Sequence, residues 1–245
     1  MSVKVPTGIR ELDRMLNGGM LGGEVTLFLH DIGSGHNYIL SEIIRNHCRM
    51  GGKALIVLTS TSSAQFINLI GNVTSRETCI IIDCVSPQNV YNTEYYIENP
   101  SRAFDIFICM KKAREELNSM VGEKKIPPLI CFYSLSPLFI NFEPNEVVQF
   151  FNKNVKEAMR LGTVEYYLLS HGITENSIEK RLQALANTVI LLRSEFKDHR
   201  RQNYLQILKH ASGVPYPEEK QYSIINRDGA NPEIVFSTPL ISPQW

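Results

Sequence analysis

The feature that most constrains this chain is a fivefold alternation of short apolar, β-rich runs with stretches of helical period. The runs are Glu24–His30, Lys53–Leu58, Thr78–Cys84, Leu129–Tyr133 and Val164–Ser170. They are rich in Val, Ile and Leu, the pattern of strands buried on both faces. Between them, a helix opening at Asn37 carries Ile39, Leu40, Ile43, Ile44 and Cys48 on one face and stops at Gly51-Gly52. Ser62 or Ser63 can cap the next helix, which carries Phe66, Leu69 and Ile70. A long helix from Pro100-Ser101 to about Met120 is expected to turn Phe104, Ile108, Met110 and Leu117 inward, and further helices are expected over 144–160 and 175–186. Strands joined by such crossovers form a parallel sheet flanked by helices. From Thr188 the pattern changes. Thr188–Arg193 and Tyr204–Lys209 read as a hairpin with the basic tip Lys197-Asp198-His199-Arg200-Arg201. Short strands near 222–226 and 233–236 precede a Pro-containing tail. The fold class is therefore α/β, mostly parallel, with antiparallel hairpin strands at the C-terminal edge.

A length of 245 residues fits one domain: an entry segment over 1–23, a core over 24–193, hairpins over 194–236 and a tail over 237–245. The polar connector 86–100, with Tyr91, Tyr95 and Tyr96, is a surface loop or an interface. Lys plus Arg and Asp plus Glu both count 25, which argues against a dedicated polyanion binder while leaving room for a local basic patch. The five cysteines (Cys48, Cys79, Cys84, Cys109, Cys131) lie mostly in apolar stretches without a C-x-x-C pair, as buried free thiols of a reducing compartment do. No metal-ligand spacing is present. The start of the chain carries no apolar signal segment and no run is long enough to span a bilayer, so a cytoplasmic protein without membrane insertion is expected.

The first strand, a glycine loop and a helix follow one another in the order of a phosphate-binding loop, G-x-x-x-x-G-K-[ST]. That chemistry needs backbone amides to wrap phosphates, a lysine to neutralise them and a hydroxyl for Mg²⁺ at the helix N-terminus. Here the residues are His30-Asp31-Ile32-Gly33-Ser34-Gly35-His36-Asn37. Both turn glycines are in place. The first glycine, the lysine and the hydroxyl are His30, His36 and Asn37.

The flanking sequence is far more informative. Val5-Pro-Thr-Gly-Ile-Arg-Glu-Leu-Asp13, Leu16-Asn-Gly-Gly19 and Gly23-Glu-Val-Thr-Leu27 resemble the entry segment of the KaiC-like branch of the RecA superfamily of P-loop ATPases. The resemblance continues through Gly52–Leu58, Cys79–Cys84, Tyr96–Ser101, Ser134–Pro137 and Ala186–Arg193, and so covers about residues 5–236. It implies a RecA-like sheet, and an ATPase site to which several residues here do not conform. Where the family places one or two catalytic glutamates this chain has Ser60 and Thr61, and where it places the metal-shell aspartate it has Tyr133. Of the Lys-x-Arg that reaches a neighbouring subunit, Lys209 is present and the arginine position is Ala211 or Ser212.

A serine, a threonine and a neutral phenol cannot serve as carboxylates. The expectation is a degenerate, catalytically inactive ATPase with no catalytic residues and no resident cofactor. Binding of ATP or ADP is disfavoured by a mostly neutral His36 and by the charge of Asp31. The resemblance implies a non-catalytic subunit that assembles with itself or with an active RecA/KaiC-like paralogue. Two alternatives stay open: a DNA-binding recombination or repair accessory, contacting nucleic acid or a partner through Arg193, Lys197, Arg200, Arg201 and Lys209, and a nucleotide-binding switch without hydrolysis. His171, at the end of the fifth strand, reads as a hydrogen-bonded strand-end histidine.

Overall fold

The structure is a computed structural model that describes residues 4–71, 75, 77–87, 95–98, 100, 102–122, 125–197, 199–211, 218–225 and 233–237. Tyr91, Ser101, Asp198, Ser212 and the tail from residue 238 lie outside the described residues. In chain order the elements are β1 (Lys4–Val5), α1 (Arg10–Met15), β2 (Met20–Leu21), β3 (Val25–His30), α2 (His36–Arg49), β4 (Ala54–Leu58), α3 (Ser63–Ile70), β5 (Cys79–Asp83), β6 (Tyr95–Tyr96) and α4 (Ala103–Ser119). They continue as β7 (Leu129–Tyr133), α5 (Ser136–Asn141), α6 (Pro144–Leu161), β8 (Val164–Ser170), α7 (Asn176–Leu185), β9 (Thr188–Lys197), β10 (Arg200–Lys209), β11 (Lys220–Ile225) and β12 (Glu233–Phe236).

The large sheet has the order β12-β11-β10-β9-β3-β8-β7-β4-β5-β6. From β9 to β6 every pairing is parallel, and β10, β11 and β12 add on antiparallel. The expected fold class is thus observed. β3 is buried throughout because β8 and β9 flank it and helices cover both faces. On one face, the entry segment, α2 and α3 pack through Leu12, Leu16, Ile39, Ile43 and Phe66. On the other, α4, α6 and α7 pack through Ile106, Met110, Phe151 and Leu182. Within that second layer Arg114 and Glu165 form a fully buried ion pair, with Arg114 Nη2 2.9 Å from both carboxylate oxygens. Thr163 and Tyr167 donate further hydrogen bonds to the same carboxylate, which a buried charge requires.

Several expectations are corrected. α4 buries Ala103, Ile106, Met110, Ala113 and Leu117, a stripe at spacings of three and four, so Phe104 and Ile108 fall on the outer side at 40% and 41% exposure. Phe104 is instead covered by Lys153, whose ammonium lies 4.5 Å from the ring centroid. Tyr95 and Tyr96 form an edge strand within the connector, and Lys4–Val5 pairs with Met20–Leu21 in a two-stranded sheet that no periodicity signalled. α2 starts one residue early, at His36, and α5 is an additional helix. The first hairpin is longer than its apolar residues indicated, pairing through Lys197 and Arg200, with His199 at φ 60° in the turn. Cys84 and Cys109 are half-buried rather than buried.

Candidate functional site at the carboxyl edge of the sheet

α2 carries the chain from β3 past β8 and β7 to β4, so the direction of winding reverses beside β3. In open α/β sheets the crevice at the carboxyl ends of the strands around such a reversal is where ligands bind. Here those strand ends are joined by hydrogen bonds. Thr59 and Ser60 donate their backbone N–H groups to Tyr133 O at 2.8 and 3.1 Å, and Ser134 N donates to Thr59 Oγ1 at 2.8 Å. Ser136 Oγ donates to Ser170 Oγ at 3.1 Å, and Ser170 Oγ lies 3.5 Å from His30 Nε2.

The glycine loop Asp31–Gly35 sits at the centre of this edge, with Ile32 and Gly33 exposed, Ser34 buried and several of the chain's own groups packed against it. At Gly33, φ +82°, the Arg201 guanidinium approaches so closely that a Cβ would meet Nη1 at 1.1 Å, and the same nitrogen donates to Ile32 O at 3.2 Å. Ile224 of β11 lies over Gly35, its Cδ1 2.0 Å from where a Cβ would stand. Tyr222 donates its hydroxyl to Ser34 O at 2.5 Å. Asp31 points back to β9, accepting from Ser194 N at 3.0 Å. Of these partners, only Arg201 stands among the residues singled out from sequence, as a surface cation. Tyr222, 188 residues from Ser34, fell on an expected short strand, with no signal of its contact to the loop.

His30 and His36 stack face to face, with ring centroids 3.6 Å apart and planes 27° from parallel. Burial lowers the pKa of both. His36 falls to about 3, with the neighbouring His30 adding to the effect of burial. Both rings are therefore neutral at pH 7. Ser34 Oγ lies 3.4 Å from His36 Nδ1, while His30 Nδ1 is buried without a hydrogen-bond partner among the described residues. Asn37 is exposed in the first turn of α2, and its backbone oxygen accepts from Ser41 Oγ and Tyr133 Oη. Tyr133 is buried, and burial raises its phenol pKa far above the ordinary value.

Ser60 Oγ donates to Tyr133 O, and Thr61 Oγ1 to Gln65 Oε1. Loop, Tyr133 and Ser60 thus converge. Of the basic residues, Arg201 joins them and the others do not. Arg193 is held by Glu219 at 2.7 and 2.9 Å and lies over the Tyr204 ring. Lys209 donates to the carbonyls of Gln183, Ala184 and Ala186, closing the C-terminal end of α7. Ala211 is exposed beyond β10. Lys197 and Arg200 are exposed at the hairpin tip next to Phe196, which is 74% exposed. His171 Nδ1 lies 3.2 Å from both oxygens of Glu179, the hydrogen-bonded strand end expected of it. Among the described residues no group of three or more His, Cys, Asp or Glu could hold a metal ion.

No protein-family model matches the chain. Its backbone is similar to the crystal structure of a KaiC-like protein from the archaeon Pyrococcus horikoshii, with a TM-score of 0.73 over 97% of this chain and 100% of that one, at 13% identity. The fold is accordingly RecA-like, of the KaiC type. Locally the chain is similar to the DNA repair protein RadA of Mycobacterium tuberculosis, 43% identical over 60 residues, and to that of Mycolicibacterium smegmatis, 40% identical over 60 residues. The matched stretch is 24% of this chain and 12–13% of the length of those relatives.

Proposed function

We propose that this chain is a RecA/KaiC-like protein without ATP hydrolysis that serves as a non-catalytic, cytoplasmic subunit, assembling with itself or with an active paralogue. One observation carries the reading: the loop at the ligand-binding end of the sheet is packed by its own chain, with imidazoles stacked at 3.6 Å and the Arg201 guanidinium against Gly33. ATP with Mg²⁺ does not fit these residues. A neutral His36 supplies no charge, Asn37 no hydroxyl and Tyr133 no carboxylate. One charge-stabilising donor at an oxyanion is commonly worth about 3–4 kcal/mol of barrier, and phosphoryl transfer relies on the same charge stabilisation, so the combined loss leaves background hydrolysis. Among the described residues no helix is long and apolar enough to cross a membrane. Phosphate release from ATP-Mg²⁺ should match a protein-free blank, and light scattering should find an assembly, alone or with a co-expressed paralogue. Turnover above the blank, or a strict monomer that captures no paralogue, contradicts the proposal.

A second reading rests on the hairpin tip. Phe196 faces solvent directly opposite Arg201, Lys197 and Arg200 form the next pair along the hairpin, and an exposed ring near cations suits unpaired bases and phosphates. The local likeness to DNA repair proteins favours the same direction. Binding of a single-stranded oligonucleotide that weakens steeply with salt and is lost in the Arg200→Glu, Arg201→Glu double variant supports it. Salt-independent binding, or none, refutes it.

A further inference from the structure

At the opposite end of α2 from the glycine loop, two cysteines from distant parts of the chain meet. Cys48 lies in the last turn of α2 and Cys79 opens β5, 31 residues later. Their sulfurs are 3.8 Å apart, and the side chains are almost enclosed, at 8% and 7% exposure. A disulfide needs its sulfurs at about 2.0 Å, so bond formation asks for a closure of under about 2 Å between two side chains already in contact. We propose that Cys48 and Cys79 are a peroxide-responsive dithiol that forms a reversible intramolecular disulfide. This site is independent of the glycine loop and of the reading of its function.

The two thiols share one hydrogen bond, in which either sulfur can be the donor. With Cys79 as its donor, that hydrogen bond favours the Cys48 thiolate against the effect of burial, and the nearby Lys53 ammonium assists. The same hydrogen bond and its own burial push Cys79 up. Burial pushes Cys84 to about 12 and Cys109 to about 11, and it raises Cys131 as well, so the thiol favoured to ionise lies in the Cys48–Cys79 pair. The thiolate is the nucleophile. Cys48 thiolate attacks a hydroperoxide, its sulfur taking one oxygen while the O–O bond breaks. The product is a sulfenic acid, and the displaced hydroxide leaves as water after taking a proton. The Cys79 sulfur then attacks that sulfenic sulfur, the S–S bond forms, and a second water departs with the Cys79 proton. Two thiols and one hydrogen peroxide thus give one disulfide and two waters. A thiol reductant reverses the reaction by exchange. The bridge pins the last turn of α2, where local opening is easiest, to the sheet.

The reduced chain, treated with a modest excess of hydrogen peroxide and then denatured, should lose two of its five titratable thiols and two hydrogens in mass. Digestion without reductant should link the peptides holding Cys48 and Cys79, and dithiothreitol should restore both thiols. In Cys79→Ser the sulfenic acid should persist and be trapped by dimedone at Cys48, while Cys84→Ser should behave as the parent chain. Five titratable thiols after peroxide, a bridge between other cysteines, or only intermolecular dimers would overturn the proposal. The parent chain's peptide map decides this even if a variant fails to fold.

Discussion

The entry segment and the glycine loop lie on either side of β3, and they hold themselves together in opposite ways. In the entry segment the partners are close in sequence. Asp13 accepts from Thr7 N at 2.6 Å, from Thr7 Oγ1 at 2.7 Å and from Gly8 N at 3.1 Å, so one carboxylate fixes the Pro-Thr-Gly turn five or six residues before it. In the loop the partners are remote, with Arg201, Tyr222 and Ile224 arriving from the C-terminal hairpins. A segment whose hydrogen bonds close locally keeps its residue pattern readable. A segment held by distant strands can exchange its own residues for whatever those strands supply.

Four measurements can break or sharpen that comparison, in decreasing order of effect. Asp13→Ala removes three charge-assisted hydrogen bonds at once and should cost about 3 kcal/mol of stability by chemical denaturation. A loss no larger than that of an exposed substitution would mean the turn is held by packing instead. Acid comes next. A histidine whose folded pKa is lowered takes up its proton in the unfolded chain first, so stability falls as pH drops below about 6.5 and levels off near the folded value. With His36 lowered to about 3, its share of the loss between pH 7 and 5 is about 1–2 kcal/mol, and His36→Gln should remove that share. His47, lowered to about 4 by burial, should remain as a residual acid sensitivity in that variant. An unchanged pH slope in His36→Gln would show that the imidazole is not held neutral.

Tyr222→Phe deletes only the hydrogen bond to Ser34 O and should cost about 1 kcal/mol. Arg201→Ala, at an exposed side chain, should change stability by under about 0.5 kcal/mol. Its value is geometric: protection of the Ile32–Gly35 amides from hydrogen exchange should fall with it. Unchanged protection would mean that the guanidinium does not cover the loop.

Much of the fold was legible because its signals are local. The five apolar runs became β3, β4, β5, β7 and β8, and the hairpin signal became β9 and β10. The phase of α4 was not legible, since Phe104 and Ile108 are as apolar as the residues that are buried, and only the neighbouring elements choose the face. β6 and the β1–β2 pair were missed because two-residue strands carry no periodicity. At the site, the loop, Tyr133 and Ser60 could be named from sequence, because the family resemblance assigns roles to residues at the ends of recognisable strands. What fills the loop could not. Tyr222 and Ile224 lie in β11, between β10 and β12 in the sheet, and no spacing links them to Gly35. Lys209 shows the converse: a lysine that looked available to a neighbour is spent on the end of α7.

The central claim is that the loop is closed by its own chain and has no working nucleotide chemistry, and calorimetric titration with ATP-Mg²⁺ at pH 6 and pH 8 tests it most directly. The account predicts no binding heat at either pH, because His36, lowered to about 3, stays neutral at both. Tight binding that is the same at both pH values would contradict it.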